Sequence, residues 1–293
     1  MKAHWKATIL GAALLAVAGQ HVPAQSLQGA FAQALVGKHQ PLLLGTTGAC
    51  DNDVPGGPCT HTSTLVWLDP ATGHLIRSIG PVGFTVNGLA WDRTSLTLYA
   101  STAIGDTSFH GLIRINPFTG AGTPVDSTVI NFGLDGAGSP IHSITVDVFG
   151  HMVGWYDELA PSDTYVRIDQ RTGVATEFPN TGIDTAQNGV SFGEFNLLWN
   201  IDTPRRNGAT VTQTAYLLNP FDGTPLLSKQ LTPPTPAAIG DFHPVTNLYS
   251  GLNFDNSGPP PRQTFIQVVD IVNGTITTLG QTVDDLHTLA FVR

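Results

Sequence analysis

Short apolar runs separated by turn-forming residues recur along this chain. One kind of run comes just before a turn: LVWL (65–68), LIRI (112–115), YVRI (165–168), AYLL (215–218) and QVV (267–269). The turns read DPATG (69–73), NPFTG (116–120), DQRTG (169–173), NPFDG (219–223) and DIVNG (270–274). In such a segment Asp or Asn opens the turn with its side chain, Pro pre-sets φ, and Gly supplies a positive φ at the end. Another run follows four of the turns: LIRSI (75–79), VATEF (174–178), LLSK (226–229) and TITTL (275–279). Each set predicts a β-hairpin. Beyond Gly37 no stretch of useful length carries helical spacing.

A second pattern lies between the hairpins. It reads NGLAWDRTSLTLYAS (87–101), HSITVDVFGHMVGWY (142–156), NGVSFGEFNLLWN (188–200) and AIGDFHPVTNLYSG (238–251). A fifth copy is split between HTLAFV (287–292) and PLLLG (41–45). The final glycines of the turns are 47, 53, 50 and 51 residues apart. Four strands in roughly fifty residues make a propeller blade. The expected fold is therefore all-β, a five-bladed β-propeller closed by the C-terminal strand, with a sixth degenerate blade as the alternative. Residues 41–293 form the single propeller domain in this reading, and 25–40 a leader. Within the leader Leu27, Phe31 and Leu35 are spaced for a short helix or belong to a disordered segment.

The degenerate DPxTG turns, with their alternation of small and large apolar residues, resemble secreted bacterial propellers, loosely those of the NHL and YncE groups. The resemblance covers 41–293 and implies the ring. It leaves the activity open, because this ring carries many functions.

Composition adds compartment and partner class. Lys2 and Lys6 flank the start of an apolar run, 7–18, followed by small residues at Ala16-Val17-Ala18 and Val22-Pro23-Ala24. Residues 1–24 read as a signal peptide, since about 12 apolar residues are too few to span a bilayer. The expected location is the periplasm or the exterior, with no membrane span once the signal is removed. Cys50 and Cys59 flank a turn-rich segment, and an oxidising compartment favours a disulfide between them over a two-Cys metal site. A net charge of −9 without a basic stripe excludes nucleic acid as partner. A small molecule or an extracytoplasmic protein is expected instead, bound by a monomer.

Labelling the strands of a blade A to D from the axis outward puts the A–B and C–D connections at one end of the ring. The B–C and D–A connections lie at the other. The B–C loops are the long ones: 46–62, 102–110, 157–163, 202–212 and 253–263. Long loops on one end mark the binding face. Their charged residues include Asp51, Asp53, Asp106, His110, Asp157, Glu158, Asp163, Asp202, Arg205, Arg206, Asp255 and Arg262. One equivalent position at the start of the A strands is Asn87, His142, Asn188, Ala238 and His287. Asn at such a position caps turns readily; alternatively the four polar members converge on a ligand, water or metal ion. Neutral imidazoles suit a transition metal, whereas amide oxygens with Asp184, Asp284 or Asp285 suit calcium. Two functions compete: a binding module working through the long-loop face, and a metal-assisted lyase or lactonase at the channel mouth. In the latter a divalent ion polarises a carbonyl and His142 or His287 moves a proton. The Gly189-Val190-Ser191-Phe192-Gly193 match to a nucleophile elbow is rejected, since it falls inside a predicted A strand and lacks the strand–turn–helix context.

Overall fold

The structure, a computed structural model, describes residues 28–29, 41–48, 62–102, 109–134, 141–156, 163–178, 181–204, 213–233, 238–255 and 262–292. Strands β1 (Leu42–Thr47), β2 (Thr64–Leu68) and β3 (Leu75–Pro81) are the outer three of blade 1. Blade 2 comprises β4 (Val86–Asp92), β5 (Thr97–Thr102), β6 (Leu112–Ile115) and β7 (Gly122–Pro124). Blade 3 comprises β8 (Ile141–Val146), β9 (Met152–Tyr156), β10 (Thr164–Ile168) and β11 (Ala175–Phe178). Blade 4 comprises β12 (Thr185–Phe192), β13 (Leu198–Pro204), β14 (Gln213–Leu218) and β15 (Pro225–Leu231). Blade 5 comprises β16 (Ala238–Phe242), β17 (Tyr249–Asp255), β18 (Gln263–Asp270) and β19 (Thr275–Gln281). The last strand, β20 (Leu286–Val292), returns to pair with β1 as the inner strand of blade 1. The chain thus makes five blades closed by its C-terminal strand.

Local chemistry accounts for the hairpins. In all five C–D turns the opening side chain, of Asp69, Asn116, Asp169, Asn219 or Asp270, accepts a hydrogen bond from a backbone N–H two or three residues on. The closing glycines, 73, 120, 173, 223 and 274, all have φ between +71° and +83°, a region that a side chain disfavours.

The core is not central but divided among the five seams between blades. Blades 1 and 2 share Leu44, Leu65, Val86, Trp91 and Ile113, and each later seam repeats the arrangement with its own apolar set. Strand alternation explains this: successive residues face the preceding and the following blade. The outermost strands β3 and β15 are mostly exposed, whereas every residue of β4 is buried.

The inner strands also bond directly to one another. The Ser143 hydroxyl accepts from the backbone N–H of Val190 at 3.0 Å. Thr145 accepts from the N–H of Phe192 at 3.3 Å. Asp241 receives the Ser191 hydroxyl at 2.6 Å from blade 4 and the Phe291 N–H at 2.8 Å from blade 1. Ser191 is therefore a buried inner-strand residue engaged in this girdle, as its rejection as a nucleophile requires.

Candidate functional site

The five A-strand positions start from a shared apolar residue, Trp91, Val146, Phe192, Phe242 or Phe291, paired across to the next strand with Leu98, Met152, Leu198, Tyr249 and Leu43 respectively. Four residues earlier stand Asn87, His142, Asn188, Ala238 and His287. In blades 1 to 3 this residue, His287, Asn87 or His142, is bulged out of the pairing register. In blade 4 the bulge falls at Ala186 instead, and residue 188 pairs directly with Asp202. In blade 5 it falls at Ile239, and Ala238 pairs with Leu252. Asn87 is buried, and His142 and His287 are half-buried. The His287 ring lies 5.9 Å from that of Phe254, on β17 of blade 5. Sequence equivalence is thus not register equivalence: the five positions share a level, but their backbones are presented in different ways.

Next to this level, on the seam between blades 3 and 4, is a polar group that the sequence did not bring together. Asp202 was expected in an exposed loop; it is instead the fifth residue of β13 and 3% exposed. Asn200 lies two residues earlier on the same face and is fully buried. From blade 3, Asp163 just before β10 is fully buried as well. Its Oδ2 accepts the Trp155 indole N–H at 2.9 Å and the Thr185 backbone N–H at 3.0 Å, together with the Thr185 hydroxyl. Asp163 Oδ1, Asp202 Oδ1 and both amide atoms of Asn200 are buried with no hydrogen-bond partner among the described residues. Most buried polar atoms in proteins are satisfied, so four such atoms on one seam require an explanation.

Electrostatics point the same way. Burial raises the Asp163 carboxyl despite its hydrogen bonds from Thr185 and Trp155. Burial, together with the charges of Asp163 and Asp184, pushes Asp202 up to about 8. Tyr216, paired with Asn200 across β13 and β14, is raised by burial and by the Asp202 charge. Among the described residues the ion pair present is His151 with Asp147, elsewhere in blade 3, so neither seam carboxylate meets a described cationic side chain. No three His, Cys, Asp or Glu side chains among the described residues gather into a metal centre by themselves; the seam offers two carboxylates and an amide.

His110, just before β6, is half-buried. Asp255 ends β17. Cys50, Cys59, Asp51, Asp53, Asp106, Asp157, Glu158, Arg205 and Arg206 lie outside the described residues, as do residues 1–24 with the expected signal. Among the described residues no helix is long and apolar enough to cross a membrane. Asn200 and Asp241 were missed by the sequence reading. For Asn200 a signal existed: its counterparts in the other blades, by register, are Gly45, Ala100, Gly154 and Gly251.

The opposite end, that of the short turns, holds two cavities lined by described residues. One, of ≈ 650 Å³, lies over the inner-strand ends Trp91, Val146 and Phe192, with His243 beside them. His243 accepts backbone N–H bonds from Val245 and Thr246 through Nδ1, and burial lowers its basicity. The other, a groove of ≈ 1240 Å³, holds Arg114 over the Tyr99 ring and Arg167 between Phe178 and Phe221.

These features define a five-bladed β-propeller whose repeat is interrupted by polar residues at the long-loop end. No protein-family model matches the chain, and no curated protein matches it in sequence. Several solved structures resemble it in fold. TolB from Acinetobacter baumannii does so with a TM-score of 0.48 and 14% identity, over 87% of this chain and 57% of that one. A gluconolactonase from Xanthomonas campestris does so with 0.43 and 13%, over 76% and 73%. An α-L-arabinofuranosidase from Clostridium thermocellum does so with 0.49 and 11%, over 84% and 95%. This chain spans little more than half of TolB's length, and at these identities the likeness is one of fold.

Proposed function

We propose that the protein is an exported binding module that takes a small molecule or an extracytoplasmic protein at the long-loop end of its ring. One observation carries the reading: the blades share their hairpin turns but differ in polar residues at that end. The position of Asp163 is Ser63, His110, Gln213 and Thr264 in the other blades by register, and that of Asp202 is Thr47, Thr102, Tyr156 and Asn253. A ring that needed these residues only for closure would repeat them, as it repeats its turns. His142 and His287, with Asn87 and Asn188, line the approach in this reading. Export, the Cys50–Cys59 disulfide and kinship with NHL or YncE propellers belong to the same proposal.

The test is a thermal-shift screen of sugars, organic acids and short peptides, repeated on the double variant His142→Ala/His287→Ala. A hit that the double variant loses while keeping its fold supports the reading. A hit that survives it, and is lost instead on Trp91→Ala at the opposite end, overturns it. Hydrolysis of lactones by the metal-loaded protein, abolished in the double variant, would replace the binding module with the lactonase.

A further inference from the structure

Three departures from the repeat meet at the seam between blades 3 and 4, and each brings an oxygen that the fold does not use. The first is Asp163. Its counterpart in blade 1 is Ser63, whose hydroxyl accepts the N–H of Val86, at the start of the next inner strand, at 2.9 Å. Asp163 performs the same task through Oδ2 for Thr185, at 3.0 Å. A serine suffices for that bond, so Oδ1 and a full negative charge are left over. The second is Asn200, where the other blades have Gly or Ala and need no polar group at all. The third is Asp202, on the same face of β13 as Asn200 and within electrostatic reach of Asp163.

We propose that this seam binds a hard divalent cation of calcium's size, held by Asp163 Oδ1, the Asp202 carboxylate and Asn200 Oδ1, with water completing its shell. The inference rests on the long-loop end being the working end, and it names what the seam holds there. Two buried carboxyls ionise together only where something neutralises them, and without it Asp202 keeps its proton up to about pH 8. No described cationic side chain neutralises them. The unpaired atoms are oxygens, apart from the Asn200 amide nitrogen, and no thiolate or imidazole stands among them. Carboxylate and amide oxygens select calcium over zinc or copper. The exposed Asp184 adds negative charge beside the pair. The Trp155 indole, 2.9 Å from Asp163, sits next to the ion as an optical antenna.

The experiment uses the full-length protein, stripped with chelator, and two probes, calcium chloride and terbium chloride. With calcium about a hundredfold above its Kd, the melting temperature should rise by roughly 5 °C. Terbium should luminesce on tryptophan excitation, and excess calcium should quench it. Asp202→Asn and Asp163→Ser should lose both responses. In chelator Asp202→Asn should melt close to the wild-type temperature, because Asp202 then holds a proton at neutral pH, and Asp163→Ser at or above it, because it removes a buried carboxyl with no described cationic partner. Asn200→Gly, which restores the residue of blades 1, 3 and 5, should weaken calcium binding by about tenfold or more. The proposal is overturned by a wild type that responds to neither ion, or by an equal response in Asp202→Asn and Asp163→Ser. It is overturned equally if calcium has no effect and Arg205→Ala/Arg206→Ala alone destabilises the stripped protein, since a loop guanidinium would then neutralise the pair. The calcium measurement needs no organic ligand and leaves His142 and His287 in place. Its failure is therefore separate from failure of the binding-module reading, which the histidine variant tests.

Discussion

Asp241 ties three blades together, and its replacement measures how much of the ring's closure depends on polar bonds. Its Oδ1 receives the Ser191 hydroxyl at 2.6 Å and the adjacent Phe242 N–H at 2.8 Å. Its Oδ2 receives the Phe291 N–H at 2.8 Å, across the closing seam. Hydrogen bonds to a charged acceptor contribute about 1.5–3 kcal/mol each. The Phe242 bond joins chain neighbours and secures nothing across blades, which leaves two that do. Asp241 is half-buried, so water can replace part of what is lost. Asp241→Ala should therefore cost about 2–4 kcal/mol, less than the full sum of two charged bonds. Asp241→Asn keeps one acceptor oxygen and should cost about half as much. Urea unfolding at neutral pH checks this: with a slope of about 3 kcal/mol/M, the alanine variant's midpoint should fall by roughly 1 M. Ser191→Ala should cost about 1 kcal/mol alone and add almost nothing to Asp241→Ala, because both remove the same bond. Strictly additive costs, or an alanine variant within about 0.5 kcal/mol of wild type, would refute the girdle.

Deleting residues 286–293 should leave blade 1 without its inner strand, in which Leu286, Leu289, Ala290, Phe291 and Val292 are all buried. Each large apolar side chain contributes about 1.5–3 kcal/mol, so the truncated chain should be insoluble or lack a cooperative melt; unchanged solubility and melting would count against the closure. Gly189→Ala places a methyl group against the buried Tyr249 hydroxyl and should cost about 1–3 kcal/mol, with Tyr249→Phe recovering part of the loss in the double variant. Burial opposes ionisation of Asp92, but hydrogen bonds from Ser95 and Thr94 outweigh it and hold the carboxyl below its ordinary value. The stability from this group is present above the unfolded carboxylate pKa of about 3.9 and is lost as pH falls through the folded value. Asp92→Asn should accordingly flatten the acid limb of the stability curve below about pH 4, and an unchanged limb would contradict the assignment.

The hairpins, the blade repeat and the return of the C-terminal strand were all legible in the sequence. The reason is range. An Asp or Asn side chain and a closing glycine act within five residues, and strand alternation is read from nearest neighbours. Even the split copy of the repeat, HTLAFV and PLLLG, could be matched without knowing where its halves meet. The candidate site was legible only in part. His142 and His287 stood out because they occupy one repeat position, but the shift of the bulge to Ala186 and Ile239 could not be read from that equivalence. The meeting of Asp163, Asn200 and Asp202 was hidden because the two aspartates look ordinary in their loops, and Asn200 stands out only once strand register sets it against Gly45, Ala100, Gly154 and Gly251. Tertiary structure alone stacked blade 4 on blade 3 and took these polar atoms out of water. Asp241 shows the same division: its pattern marks only a strand residue, while its partners Ser191 and Phe291 each lie 50 residues away. Local chemistry sets the turns, but which polar groups lose solvent together depends on which sheet faces meet, and that is settled only when the ring closes.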